Sequence, residues 1–209
     1  MTHITKTELK LFNEINNSHI TNMKLDIPFP YNEIYDEIYP FLDQFKEHRP
    51  VAAAGMWKGL CLRGSHWFRP GDSHPGDPEL HWTEFADILD VTTEYFKNFP
   101  VRDVDRIRFM LLEPGGTIPL HSDISYPRLC SAINFCINQP KDCDFIINGQ
   151  TIPWKPGDVR LMNVHFKHTV INNSQERRLH MILHGKGLRT DKDFQRIVLN
   201  SYEKYGYKV

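Results

Sequence analysis

No stretch of this sequence approaches the roughly 20 consecutive apolar residues that a membrane-spanning helix requires. The first twenty residues, MTHITKTELKLFNEINNSHI, also lack the apolar centre of a secretory signal. A soluble, cytoplasmic protein is expected. Neither charge is in excess: 25 Lys and Arg stand against 26 Asp and Glu, a formal charge of −1. No bulk field therefore favours nucleic acid or an anionic membrane as partner, and charged ligands must be sought locally. Cysteine is scarce. Cys61, Cys130, Cys136 and Cys143 form no C-x-x-C pair, and they read as free, buried thiols rather than a disulfide framework. Internal repeats, low-complexity tracts and breaks in composition are absent as well, so a single domain over residues 1–209 is expected.

What is present changes character along the chain. Ile34, Tyr35, Ile38, Leu42 and Phe45 recur at helical spacing, with Pro40 placed to kink the helix. Phe85, Ile88, Leu89, Thr92, Tyr95, Phe96 and Phe99 predict a second helix within ELHWTEFADILDVTTEYFKNFP. Each carries one apolar stripe and must pack against something flat. Between them MWKGLCLRG predicts a strand, and HWFRPGDSHPGDPE a polar loop too long for a simple connector. From about Arg106 the chain becomes short apolar runs separated by turn residues, among them Asn148-Gly149 and Pro156-Gly157-Asp158. That spacing predicts an all-β sandwich or barrel, with a jelly roll the leading candidate. TDKDFQRIVLNSYEKYG closes the chain as a helix over about 190–206, with Thr190 or Asp191 as cap and Gly206 as stop.

The segment GTIPLHSDI, residues 116–124, places His121 and Asp123 two apart on what reads as a strand. Residues i and i+2 share a strand face, so the imidazole and carboxylate project together while Ser122 points away. VHFKHTVINN supplies His165 and His168, distant in sequence but able to return to the same point in an antiparallel sandwich. Two His and one carboxylate leave half of a metal's positions open, the facial arrangement of non-haem Fe(II) oxygenases. Zinc accepts the same donors, and a solvated hydrogen-bonded His–Asp pair is the plainer alternative. Arg178 follows ten residues after His168, at the start of another apolar run. A cation rooted in a barrel wall is costly unless it meets an anion, and its planar fork suits a carboxylate.

RFMLLEPGGTIPLHSD, RLCSAINFCI, WKPGDVRLMNVHFKHTVINNS and RRLHMILHG together resemble the aspartyl/asparaginyl β-hydroxylase family of Fe(II)- and 2-oxoglutarate-dependent dioxygenases, over roughly residues 50–186. The resemblance implies a double-stranded β-helix (jelly-roll, cupin-like) core over about 50–186, a helical N-terminal part over 1–100 and a C-terminal flanking helix. It further implies His121, Asp123 and His168 as iron ligands, with Arg178 anchoring the 2-oxoglutarate cosubstrate. His165 becomes a neighbour. O2 would be consumed in hydroxylating a C–H bond of an amino acid, free or in a peptide. Some relatives carry Gly where this chain has Asp123, and halogenases of the wider class vacate that position, so the carboxylate argues for hydroxylation. A serine and a basic residue that hold the cosubstrate in some members align with Met110 and Cys130, and Arg128 is the nearby substitute.

Other residues complete the expected site. Asn134 shares strand parity with Ala132 and Cys136 and is expected to line the cavity, bonding the cosubstrate or a water. Trp154 and Phe135 read as core, His180 as a hydrogen-bonded core histidine, and His184 and Lys186 as solvated. In the polar loop, Arg63, His66 and Arg69 are interleaved with Trp67 and Phe68. They suggest a lid that grips a substrate carboxylate, against the plainer reading of a solvated loop. A non-catalytic metal-containing jelly-roll module and another cupin-type metalloenzyme are the competing functions.

Overall fold

A computed structural model describes residues 3–48, 56–70 and 79–209. The strands are β1 (Asn22–Lys24), β2 (Lys46–Glu47), β3 (Trp57–Gly64), β4 (His81–Trp82), β5 (Arg106–Leu112), β6 (Thr117–His121), β7 (Ala132–Asn138), β8 (Cys143–Ile147), β9 (Gln150–Thr151), β10 (Val159–Met162), β11 (His168–Asn172) and β12 (Arg178–His184). The helices are α1 (Lys6–Asn16), α2 (Tyr31–Ile38), α3 (Asp90–Lys97), α4 (Gly187–Thr190) and α5 (Lys192–Lys204). All strand pairings are antiparallel. The larger sheet runs β1-β10-β7-β12-β5-β3-β2 with β4 beside β3, and the smaller runs β6-β11-β8-β9, the two sheets of a jelly roll. Among the described residues no helix is long and apolar enough to cross a membrane.

Strand parity divides the interior into two layers. On β5, β7 and β12 the odd-numbered residues, such as Phe109, Phe135 and Met181, are buried in a core shared with α1, α2, α3 and α5. Phe135 is its centre, with the rings of Phe96, Phe29 and Phe99 at 5.1, 5.2 and 5.4 Å. The even-numbered residues face the smaller sheet. Met110, Leu112 and Cys136 pack there against Ile118, Phe145 and Val170. Trp154 is buried in the same layer.

Local chemistry explains the boundaries. α1, which the helical pattern around Phe12 and Ile15 does not announce strongly, starts with a capping box: Thr5 accepts from the Glu8 amide while Glu8 accepts from the Thr5 amide. At Pro40 the second helix tightens, α2 passing into a 3-10 turn over Tyr39–Gln44. The helix expected from Phe85 is shorter than its apolar spacing suggests. His81 and Trp82 are instead drawn onto β3, and the Thr83 hydroxyl donates to Cys61 O at 2.8 Å. α3 begins only at Asp90, where the Glu37 carboxylate accepts from the Val91 and Thr92 amides at 2.7 and 2.9 Å. Ile88 is left exposed. Asn148 and Gly149 both have positive φ, as a two-residue hairpin between β8 and β9 requires. Asp191, rather than Thr190, caps α5. The four cysteines are free and buried, and burial pushes the Cys61 thiol up to about 11 and those of Cys130 and Cys136 up to about 12.

Candidate metal and cosubstrate site

Between the two sheets lies a cavity of about 320 Å³. One wall is the β6–β11 pair, in which His121 and His168 are direct register partners. Their ring centroids stand 4.3 Å apart. β6 ends at His121, but the Asp123 amide still donates to Val164 O at 2.9 Å, which holds the carboxylate beside the histidines. Asp123 Oδ1 lies 3.4 Å from His121 Nε2 and Oδ2 lies 3.6 Å from His168 Nε2. One donor atom from each of the three residues falls within 4.8 Å of the others.

The backbone sets the tautomers. His121 Nδ1 meets Pro119 O at 2.6 Å and His168 Nδ1 meets Phe166 O at 3.0 Å. A carbonyl only accepts, so both Nδ1 atoms carry the proton and both Nε2 lone pairs face Asp123. Burial holds His168 below the ordinary histidine value, in the neutral state a ligand needs. Two imidazole nitrogens and one carboxylate on one side of a point, with the cavity on the other, fit an iron with open positions. His165 stands apart, its Nδ1 3.3 Å from Ile124 O and its ring against Phe166.

Arg178 enters from the opposite wall. It is 3% exposed and lines the same cavity. Nη2 donates to His180 Nδ1 at 2.9 Å and Nε donates to Gln139 Oε1 at 3.2 Å, while the guanidinium rests over the Phe145 ring. His180 Nε2 then donates to Gln139 Oε1 at 3.0 Å. His180 is fully buried, and burial and the adjacent Arg178 keep it neutral, well below its ordinary value. These partners are neutral, so the arginine is aimed without being neutralised. Among the described residues no protein group hydrogen-bonds its Nη1.

The remaining candidates separate. Asn134 lines the cavity, 5% exposed. Arg128 lies over the Tyr126 ring with Nη2 donating to Tyr126 Oη, and is not among the cavity-lining residues. Met110 lines the cavity wall, whereas Cys130 is packed in the helical core. Arg63, His66 and Arg69 do not reach the cavity. Arg63 donates to Val104 O at 2.9 Å beside Trp82, and the His66 ring stacks on Phe68. Arg69 is exposed near the end of the described part of the loop, and residues 71–78 lie outside the described residues. His184, expected in solvent, instead lines the cavity together with Arg108. Gln139, Arg108 and His184 were not read as site residues, although parity with Arg178 and Met110 puts the last two on the inner face.

Residues 30–186 match the protein family described as Aspartyl/Asparaginyl beta-hydroxylase. No curated protein matches the chain. Among solved structures, an oxidoreductase of the 2OG-Fe(II) oxygenase family from Burkholderia pseudomallei aligns with a TM-score of 0.51 at 11% identity, covering 90% of this chain and 97% of that one. The non-heme alpha ketoglutarate dependent epimerase SnoN from nogalamycin biosynthesis gives 0.51 at 11% identity, covering 86% and 82%. At such identities the structures bear on the fold alone. With three quarters of its length matched, the chain belongs to the aspartyl/asparaginyl β-hydroxylase family and is an Fe(II)- and 2-oxoglutarate-dependent oxygenase.

Proposed function

We propose that the enzyme hydroxylates a C–H bond of an amino acid, free or within a peptide, with His121, Asp123 and His168 holding the iron and Arg178 holding the far carboxylate of 2-oxoglutarate. The observation that carries this reading is the enclosure of Arg178 and the triad in one cavity, from opposite sheets. Bound iron and 2-oxoglutarate supply, with O2, the oxidising power that no side chain has.

The chain's own residues orient and exclude. His121 and His168 present fixed Nε2 lone pairs because Pro119 O and Phe166 O hold the other nitrogens. Asp123 adds the one negative charge of the donor set. Arg178 offers its guanidinium to a carboxylate, where a charge-assisted bond is stronger than a neutral one. Trp57, Phe145, Val164 and Val170 line the cavity with apolar surface and keep water from the reacting carbon. The occupied carboxylate position supports hydroxylation as the outcome.

Succinate formation measured with Fe(II), 2-oxoglutarate and a panel of free amino acids and blocked peptides tests this. At least one member should stimulate succinate release and gain one oxygen atom by mass. Stimulation with no oxygen incorporated into any member would refute hydroxylation.

A further inference from the structure

The inner face of the larger sheet carries a second buried cation. Arg108 on β5 is 8% exposed and lines the cavity. Ile182 pairs with Arg108 on one side and with Asn134 on the other, so one rung across β7, β12 and β5 reads Asn134, Ile182, Arg108. His184 stands at the next inward position of β12. Its Nδ1 lies 3.3 Å from Ser131 O and its Nε2 lies 3.1 Å from Arg108 Nη2. The carbonyl requires Nδ1 to carry the proton, so Nε2 accepts from the arginine. Pro70 O accepts from Arg108 Nη1. Both acceptors are neutral: they aim the guanidinium and leave its charge in place.

Asn134 supplies an independent sign of a ligand. Its amide is 95% buried and lines the cavity, yet it has no hydrogen-bond partner among the described residues. Buried amides are rarely left so.

This end is distinct from the Arg178 end. Arg178 pairs with Leu112, four residues along β5 from Arg108, which is about 13 Å at about 3.3 Å per residue. A five-carbon diacid spans about 5 Å between its carboxyl carbons, given C–C bonds of about 1.5 Å. One molecule of cosubstrate cannot bridge both arginines. Charge counting points the same way. Arg178, Arg108 and a divalent iron, set against Asp123 and a doubly charged cosubstrate, leave one positive charge in the cavity.

We infer that Arg108, aimed by His184 and assisted by the Asn134 amide, is the anchor for a carboxylate of the substrate. This rests on the function proposed above and narrows it: the substrate carries a carboxylate, either the free α-carboxylate of an amino acid or an Asp or Glu side chain in a peptide. Asn134 then serves the substrate rather than the cosubstrate.

The test uses calorimetry on the full chain loaded with Mn(II) and 2-oxoglutarate, a pair that permits binding without turnover. The probes are the free L-amino acids, their C-terminal amides, and N-acetylated peptide amides that contain Asp, Glu, Asn or Gln. A carboxylate-bearing probe should bind, and its amide should bind at least tenfold more weakly. The winning class names the source of the carboxylate. Arg108→Gln should weaken that probe at least tenfold and Asn134→Ser several-fold, while 2-oxoglutarate affinity stays within about twofold. Asn134→Ser removes no buried charge and serves if Arg108→Gln fails to fold. Equal binding of acid and amide, binding by no carboxylate-bearing probe, or wild-type affinity in Asn134→Ser or a folded Arg108→Gln overturns the inference. Failure of the wild type to bind 2-oxoglutarate would instead strike at the function proposed above.

Discussion

Arg178 Nη2 donates to His180 Nδ1 at 2.9 Å, two positions apart on one strand, so the residue proposed to hold the cosubstrate is itself held by a neutral histidine. The pair is legible only when both protonation states are considered. A charged imidazole at this distance from a guanidinium would repel it. His180 therefore acts as a positioning residue.

The corresponding prediction concerns cosubstrate affinity. Arg178→Lys keeps the charge and loses the fork, and should weaken 2-oxoglutarate binding by about 1–3 kcal/mol. His180→Leu should weaken it less, and His180→Gln, which restores an acceptor, should recover part of the loss. Calorimetric titration of the metal-loaded variants measures all three. If His180→Leu and His180→Gln bind 2-oxoglutarate like the wild type, His180 has no positioning role.

Metal binding should discriminate between two nearby histidines. His168→Ala removes a donor whose Nε2 faces Asp123, so Fe(II) affinity and turnover should collapse. His165→Ala, outside the cluster, should leave both near wild type. Circular dichroism should report a native fold in each, since the cores are built without metal. The opposite pattern of loss would make His165 the ligand.

Stability of the metal-free protein should depend on pH through His180 and His184. Burial and an adjacent arginine lower both, His184 to about 3. Below about pH 6.5 the unfolded chain takes up protons at these sites that the folded chain refuses. Stability is therefore fully present above pH 6.5 and lost as pH falls, with a slope approaching about 1.4 kcal/mol per pH unit for each histidine. Urea midpoints between pH 7 and 5 in the presence of a chelator should fall accordingly, and His184→Asn should remove about half of the slope. A flat profile over that range would show that these histidines are not held neutral.

Packing makes a contrast between two residues of apolar pattern. Phe135 is fully buried among Phe29, Phe96 and Phe99, and Phe135→Ala should cost about 3–5 kcal/mol. Ile88, 51% exposed, should tolerate Ala within about 0.5 kcal/mol. Equal costs in thermal or urea unfolding would contradict this division of the core.

Period-two alternation explains what could be read in advance. His121, Asp123 and Arg178 were legible because each lies on a strand where parity fixes its face, and the separation from His168 to Arg178 carried over from the family pattern. Parity also applied to Arg108 and His184, a basic residue and a histidine on inward positions, but a charged residue near a strand end resembles a solvated one until its neighbours are known. Arg63 shows the opposite failure. A register shift between Cys61 and Arg63 on β3 turns Arg63 toward Trp82 and Val104 instead of the cavity. Such a bulge has no signature in the residues themselves. Gln139 was out of reach for another reason: it lies beyond β7, where only the folded turn brings its amide to Arg178.

The most direct test of the account is anaerobic titration of the Fe(II)-loaded protein with 2-oxoglutarate, followed in the visible spectrum. Chelation should produce a saturable charge-transfer band in the wild type. In Arg178→Gln the band should form only at much higher 2-oxoglutarate, and in His168→Ala it should be absent. No band in the wild type at saturating 2-oxoglutarate, or an identical titration in Arg178→Gln, would contradict the assignment of this cavity as the iron and cosubstrate site.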